Sequence, residues 1–375
     1  MPIIGCSKSL EYDFVRVLEQ RVRDRLAALQ TQGLLRKRRP PRGIDLSSND
    51  YLGLAAHSYI KERMAAAICE QGAGSTGSRL LRGERDCFTD LEQRFAEFKG
   101  AERALYFSSG YLANLAVLTT FPEAGDTIFS DELNHASLVD GVRLSRAGRI
   151  VFPHLQPDFV PAGAFLLTES VFSMDGDAAP LEQYKTLGAA LIVDEAHAVG
   201  LYGDRGQGLV GGDGVFVSVN PAGKALGVAG AFVAGPTWAI EYLEQRARPF
   251  IFSTAAPPAV AAALDASLDV IAAEPERRER VQFLARFLRE RLADAGIAVP
   301  AGDSPIVPVI IGENHRAVAV AAALQEDGFD VRAIRPPTVP QGTARLRISI
   351  NAGLSEEILT RFVTCLVEQL CPAYS

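Results

Sequence analysis

From Arg103 onward the chain repeats one texture that narrows its folding options sharply. Short apolar segments, "RALYFSS", "DTIFSD", "RIVFP", "AFLLTES", "ALIVDEAH" and "GVFVSV", alternate with helical or loop stretches such as "GYLANLAVLTTF" and "NHASLVDGVRLS". A strand followed by a crossover and another strand, repeated, builds a mostly parallel sheet with helices on its faces. Runs such as "AALIV" carry no polar alternation, as expected of strands buried on both sides. The fold class expected is therefore α/β.

The flanks have a different character. Leu10, Phe14, Leu18, Val22, Leu26 and Leu29 recur every three or four residues and predict an amphipathic helix that ends before Gly33. The basic run "LLRKRRPPRG" follows, and two readings of it stay open: a solvated linker, or an anion contact at the edge of an active site. "GIDLSSNDYLGL" reads as a short strand and a polar turn, and helices are predicted at 58–71 and about 86–99. Past "RPFIFSTAAPP" come two long helices, 259–273 and 275–295. The segment "SPIVPVIIG", a helix over 315–327, "FDVRAI" and "ARLRISI" complete a smaller α+β domain. These boundaries give an N-terminal helix and basic linker (1–45), a large α/β domain (46–259) and a C-terminal α+β domain (260–375).

Gly72, Gly74 and Gly77 in "EQGAGSTGSRLLRGE" have G-x-G-x-x-G spacing. A dinucleotide site needs a strand before that pattern and a helix after it. Here a helix precedes it, and "SRLLRGERD" is too short for the helix that must follow. A loop passing close to a ligand or to another backbone is the better reading.

The 375 residues carry a formal net charge of -7, which argues against a nucleic-acid partner. The first residues show no basic segment leading into an apolar run, so no secretory signal is expected. No stretch of about 18 apolar residues predicts a membrane span. Cys6, Cys69, Cys87, Cys365 and Cys371 are odd in number and lack zinc-like spacing. They suggest neither a disulfide framework nor a metal site, and a cytoplasmic setting fits best.

In open α/β sheets, ligands bind at the carboxyl ends of the strands. "RALYFSS" delivers Ser109, Gly110 and Tyr111 to a helix N-terminus, an anion site suited to phosphate. "ALIVD" ends in Asp194, with His197 three residues on. "AFLLTES" leads to Ser173, and "GVFVSV" leads to Lys224 between glycines. Each has a plainer reading: Asp194 and His197 as turn caps, "MDGD" as a tight turn, Lys224 as an ordinary exposed lysine. Together they describe a pyridoxal phosphate site. The lysine holds the aldehyde and the acid keeps the ring nitrogen protonated, so the ring draws electrons from a bound amino acid.

The segments "DLSSNDYLGL", "GSTGSRLLRG", "FSSGYLANLAVL", "DELNHASLVDG", "TESVFSMDGDAAPL", "VDEAHAVGLYG", "GKALGVAGAFVAG", "IFSTAAPP" and "AIRPPTVPQGTARLRISI" occur in order and resemble the α-oxoamine synthases. These are fold-type-I, pyridoxal-phosphate-dependent acyltransferases that work as homodimers with the active site at the subunit interface. The resemblance implies that Lys224 holds the cofactor and moves the α-proton, and that Asp194 pairs with the ring nitrogen. His197, assisted by Ser173, would bond the ring hydroxyl, and His135 would stack on the ring. Gly110 and Tyr111 would hold the phosphate, which Ser253 and Thr254 reach from the partner subunit. Arg347 would bind the amino-acid carboxylate, Asn49 and Thr338 would line the substrate pocket, and Arg36 matches a substrate contact. In "ARLRISI", Leu346, Ile348 and Ile350 share one face. Packing that face on the core is expected to aim Arg345 and Arg347 outward.

Within the family, "VFSMDGD" and "AIRPPTVPQGTARLRISI" point to L-alanine and a pimeloyl thioester (of coenzyme A or an acyl carrier protein), a step of biotin biosynthesis. Glycine or serine with another acyl-CoA is the nearest alternative, and a catalytically silent partner subunit a more distant one. Three departures stand out. Pro221 occupies the position, three before the lysine, where the family usually has a Ser or Thr that contacts the phosphate. Asn220 or Ser218 is the candidate substitute. "PHLQPDFVPAG" is short where relatives carry an extra helix, and "GGDGVFVSV" is trimmed.

Overall fold

The structure is a computed structural model and describes residues 8–211 and 213–370. In chain order the first elements are α1 (Lys8–Thr31), β1 (Ile44–Asp45), α2 (Ser58–Gln71), α3 (Asp86–Lys99), β2 (Arg103–Phe107), α4 (Gly110–Thr120), β3 (Thr127–Asp131), α5 (Ala136–Leu144) and β4 (Gly148–Phe152). Next come β5 (Phe165–Glu169), α6 (Leu181–Lys185), β6 (Ala190–Asp194), β7 (Val217–Pro221), β8 (Ala231–Gly235), α7 (Thr237–Arg246) and α8 (Arg248–Ile251). The last are α9 (Pro258–Ala273), α10 (Glu276–Asp294), β9 (Ile306–Gly312), α11 (Asn314–Glu326), β10 (Phe329–Asp330), β11 (Arg332–Ile334), β12 (Ala344–Ser349) and α12 (Glu356–Leu370).

The chain divides into two compact units. The larger holds residues 48–307 and 349–360; the smaller gathers the residues up to 47, 308–348 and those from 361 on. The boundary drawn in the sequence near residue 260 thus falls inside the larger unit, because α9 packs against α2 and α3. The segment before residue 46 is not a separate body either. Its strand β1 pairs in parallel with β10, placing it in the smaller unit.

The larger unit is built on a seven-stranded sheet of order β2-β8-β7-β6-β5-β3-β4. The strands from β7 to β4 run parallel, and β8 is antiparallel to both its neighbours. Successive residues of β6 enter opposite cores. Ile192 joins Leu105, Val117, Leu138 and Val219, whereas Leu191 and Val193 join Phe129, Leu166, Phe172 and Tyr184. That two-sided burial is why these strands read as unbroken apolar runs. β8 lies between β2 and β7, yet the carboxyl ends of β2, β3, β5, β6 and β7 share one edge.

The smaller unit has a three-stranded sheet, β11-β12-β9. β12 is its middle strand, and all six of its residues are buried. Arg345 and Arg347 are 4% and 7% exposed, so the expectation that they turn outward is corrected: the second face of this strand is covered too. The predicted N-terminal helix is present as α1. Phe14, Leu18, Val22, Leu26 and Leu29 on it are exposed, and nothing is described of the Leu10 side chain. Cys69, Cys87 and Cys365 are free thiols; Cys6 and Cys371 lie outside the described residues. Among the described residues no helix is long and apolar enough to cross a membrane, and no cluster of His, Cys, Asp or Glu has metal-binding geometry.

The glycine-rich stretch is a loop folded onto itself. A Cβ at Gly83 would sit 2.0 Å from the Gly77 carbonyl oxygen, so only glycine allows the two backbones to meet. The Gly77 carbonyl also accepts the Ala255 N–H at 2.8 Å, and Ser75 Oγ donates to the Ala256 carbonyl at 2.6 Å. The loop is thereby held beside Ser253 and Thr254.

His154, in the short connection after β4, bridges two carboxylates. Its Nδ1 is 2.9 Å from Asp131 Oδ1 and its Nε2 is 2.7 Å from Asp177 Oδ2. Both ring nitrogens must donate, so the ring is an imidazolium. Burial opposes that charge, but the two aspartates outweigh it and push the group up to about 10. Asp177 closes the turn that carries Ser173, where the Phe172 N–H donates to the Asp177 carbonyl. Replacing His154 with Gln is expected to cost about 2–4 kcal/mol near pH 7. Because the folded-state value is raised, this stabilisation is complete below the ordinary imidazole value of 6.5 and is lost as pH rises through about 10. Urea midpoints of wild type and H154Q should therefore converge above that pH.

Candidate active site

Four strand ends deliver the polar groups. Asp194, the last residue of β6, is 4% exposed, and both its oxygens are held. Asn114 Nδ2 donates to Oδ2 at 2.7 Å and the Ala196 N–H donates to Oδ1 at 2.8 Å. Asn114 Nδ2 also lies 2.9 Å from Ser137 Oγ, which is 2.7 Å from His135 Nδ1. The His135 N–H donates to Glu169 Oε1, at the end of β5, at 2.6 Å. One hydrogen-bonded chain thus runs from Asp194 through α4 and the start of α5 to Glu169.

His197 belongs to a second chain. Tyr51 Oη donates to Asn49 Oδ1 at 3.1 Å and is 2.7 Å from His197 Nδ1. With the phenol proton committed to Asn49, the bond to His197 uses the Nδ1–H tautomer. Lys224 is half-buried in the loop after β7, where its carbonyl accepts the Gly227 N–H. Its ammonium is close enough to act on both His135 and Glu169. Burial, then Lys224, hold His135 below the usual imidazole value against the pull of Asp194, so the ring is neutral at pH 7.

At α4, Ser109 Oγ caps the helix by accepting the Leu112 N–H at 3.3 Å. The N–H groups of Gly110 and Tyr111 stay outside the helical ladder and are available to an anion. A Cβ on Gly110 would lie 2.6 Å from Pro221 Cγ, so these two residues are in closest contact. Pro221 brings carbon where a hydroxyl was expected, and the candidate substitutes point elsewhere. Asn220 is fully buried on the other face of β7, its Nδ2 donating to the Ser218 carbonyl and Oγ. Ser253 and Thr254 line a small cavity with Arg79, Tyr106 and Ser108. A cavity of about 920 Å³, lined by Leu115, Leu144, Tyr242, Arg246, Arg248 and Phe252 among others, holds none of the strand-end groups.

In the smaller unit, Arg36 Nη2 lies 3.5 Å from Thr338 Oγ1 and 3.4 Å from the Pro336 carbonyl, so two of the expected substrate residues meet. Arg347 is the register partner of Arg332 on β11.

The sequence reading passed over Asn114, Ser137, Tyr51 and Glu169. Asn114 had a signal, as the one amide in the apolar stretch "LANLAVL". Glu169 had the same signal as Asp194, an acid that ends a buried apolar strand.

These groups fit pyridoxal phosphate. A buried carboxylate closes one end of the site, a helix N-terminus without room for a Cβ closes another, and a lysine and a neutral imidazole lie between them.

Comparison with known proteins agrees. The family described as aminotransferase class I and II matches residues 41–366. An 8-amino-7-oxononanoate synthase of Burkholderia pseudomallei (strain 1710b) is 46% identical over 346 residues, covering 86% of this chain and 88% of the relative. An SPT structure with pyridoxal phosphate as its internal aldimine superposes with a TM-score of 0.82 at 30% identity, covering 87% of each chain. The crystal structure of 8-amino-7-oxononanoate synthase from Francisella tularensis gives 0.79 at 29% identity, covering 88% of this chain and 98% of that one. The chain belongs to the pyridoxal-phosphate-dependent aminotransferase class I and II family, among its α-oxoamine synthases.

Proposed function

We propose that this protein condenses L-alanine with a pimeloyl thioester, releasing carbon dioxide and a thiol and forming 8-amino-7-oxononanoate for biotin biosynthesis in the cytoplasm. The observation that carries this reading is the convergence of Lys224, Asp194, His135 and His197 on one sheet edge. The chain that holds them is 46% identical to a synthase so named. When bound, pyridoxal phosphate supplies an aldehyde for the substrate amine and a ring that takes up the electrons of a broken α-bond.

The chain's own groups do the rest. Lys224 would hold the aldehyde, and its amine would take the α-proton of alanine without a diffusing base. The Asp194 carboxylate, fixed by Asn114 and the Ala196 N–H, would pair with the ring nitrogen and keep it protonated. The neutral His135 ring stacks without adding charge, and His197, braced by Tyr51, binds the ring hydroxyl with Ser173. Gly110 and Tyr111 hold the phosphate. Ser253 and Thr254 reach the phosphate of the second subunit in a homodimer. Arg347 takes the alanine carboxylate, Asn49 and Thr338 line the substrate pocket, and Arg36 meets the acyl carrier. Serine or glycine in place of alanine is the competing reading, favoured by the likeness to SPT structures.

Two measurements check this. Lys224→Ala is expected to lower turnover of alanine and pimeloyl-CoA by about 10³-fold or more and to abolish the visible absorbance of the lysine-bound cofactor. Full turnover in that variant, or a preference for serine or glycine over alanine, counts against the reading. Pro221→Thr restores a hydroxyl beside the Gly110 N-terminus. It is expected to tighten pyridoxal phosphate binding by about 10- to 100-fold, the worth of one hydrogen bond to a charged group. Cofactor titration by absorbance reads this directly, and an unchanged dissociation constant removes Pro221 from the phosphate site.

A further inference from the structure

The strand-end site contains a second buried acid that the reaction as described leaves without a task. Glu169 ends β5 as Asp194 ends β6, and the two are register partners across the parallel ladder. Glu169 is 2% exposed. Its Oε1 accepts the His135 N–H at 2.6 Å, and its carboxyl also accepts the Ser173 N–H. Those two N–H groups belong to the two segments that flank the cofactor site, the cap of α5 and the turn after β5.

We propose that Glu169 is a positioning residue, which ties His135 and the Ser173 turn to one anchor and does so as a neutral acid beside Asp194. The proposal rests on the pyridoxal phosphate reading of the site and assigns a role that reading lacks.

Two carboxyls buried on adjacent strand ends do not ionise together cheaply. Asp194 holds a side-chain amide and a backbone N–H on its two oxygens, and in the loaded enzyme it faces the ring nitrogen. Glu169 accepts two backbone N–H groups. The charged or titratable groups facing it are Asp194 from β6, Lys224 from the loop after β7 and His135 from the cap of α5. Burial first, and Asp194 second, push Glu169 up to about 8; Lys224 and the two N–H groups pull the other way. With Glu169 neutral, the site offers a single negative charge, placed where the ring nitrogen needs it. The division resembles other enzyme acid pairs whose surroundings drive their proton affinities apart.

Two variants separate the parts of the proposal. Glu169→Gln keeps an acceptor oxygen and removes the ionisation; Glu169→Ala removes both. The raised value means that the folded chain keeps a proton which the unfolded chain releases above about 4.5. Stability from this group therefore falls as pH rises from about 4.5 to about 8, and E169Q lacks that slope. The infrared difference spectrum of full-length wild type minus E169Q near pH 6 should contain a protonated-carboxyl carbonyl band that vanishes above about pH 9. Its absence near pH 6 would overturn the neutral-acid assignment. Cofactor affinity should fall about 10-fold or more in E169A and less than about 3-fold in E169Q, since only the first leaves two buried N–H groups unmatched. Equal losses in the two variants would overturn the positioning role. Neither readout needs alanine or an acyl thioester, so a failure of the synthase reading shows separately, as a loaded protein that makes no product.

Discussion

The amide of Asn114 is the interaction on which the candidate site turns. Fully buried on α4, it reaches Asp194 on β6 and Ser137 in the first turn of α5. It thus fixes three elements that arrive from distant parts of the sequence. An unpaired carboxylate at the Asp194 position would be very costly to bury. With the amide and the Ala196 N–H on its oxygens, both acceptor atoms are matched at the end of β6. The histidine that covers the site is set by the same link, through Ser137 Oγ.

Much of this was legible in the sequence because the sheet forces a regular pattern. Parallel strands buried on both faces have to be apolar, and the chain must leave them at one edge, so polar residues at strand ends stand out. Asp194, His197, Gly110 and Lys224 are the candidates that this rule selects. Glu169 satisfies the same rule, but its polar neighbours Thr168 and Ser170 blur the strand end into the turn that follows. Tyr51 was hidden for a different reason: its hydroxyl meets His197 across 146 residues, and no local spacing encodes such a contact. β8 was missed because "GAFVAG" is glycine-flanked and antiparallel, outside the strand–crossover rhythm. The arginines of β12 show the limit of alternation. It sorts residues onto two faces but does not say that the second face is open.

The connection between β4 and β5 shows how a shortened segment is kept in order. Relatives were expected to carry a helix there, whose apolar side would pack on the sheet. In this chain residues 153–164 contain no helix or strand. Order comes from the His154 imidazolium, clamped between Asp131 at the end of β3 and Asp177 in the Ser173 turn, together with Val160 and Ala164, which are buried in one core with Leu166 and Tyr184. Directional charge–charge contacts work alongside buried apolar area here, and they keep their strength because the site is partly screened from water.

The contact between Gly110 and Pro221 constrains how this chain can change over time. The pyrrolidine carbon fills the space that any larger residue at 110 would need. A lineage carrying both residues can therefore exchange the proline first, while the glycine cannot go before it. The two sites are historically ordered, and α4 keeps its bare first residue for as long as the ring stands opposite.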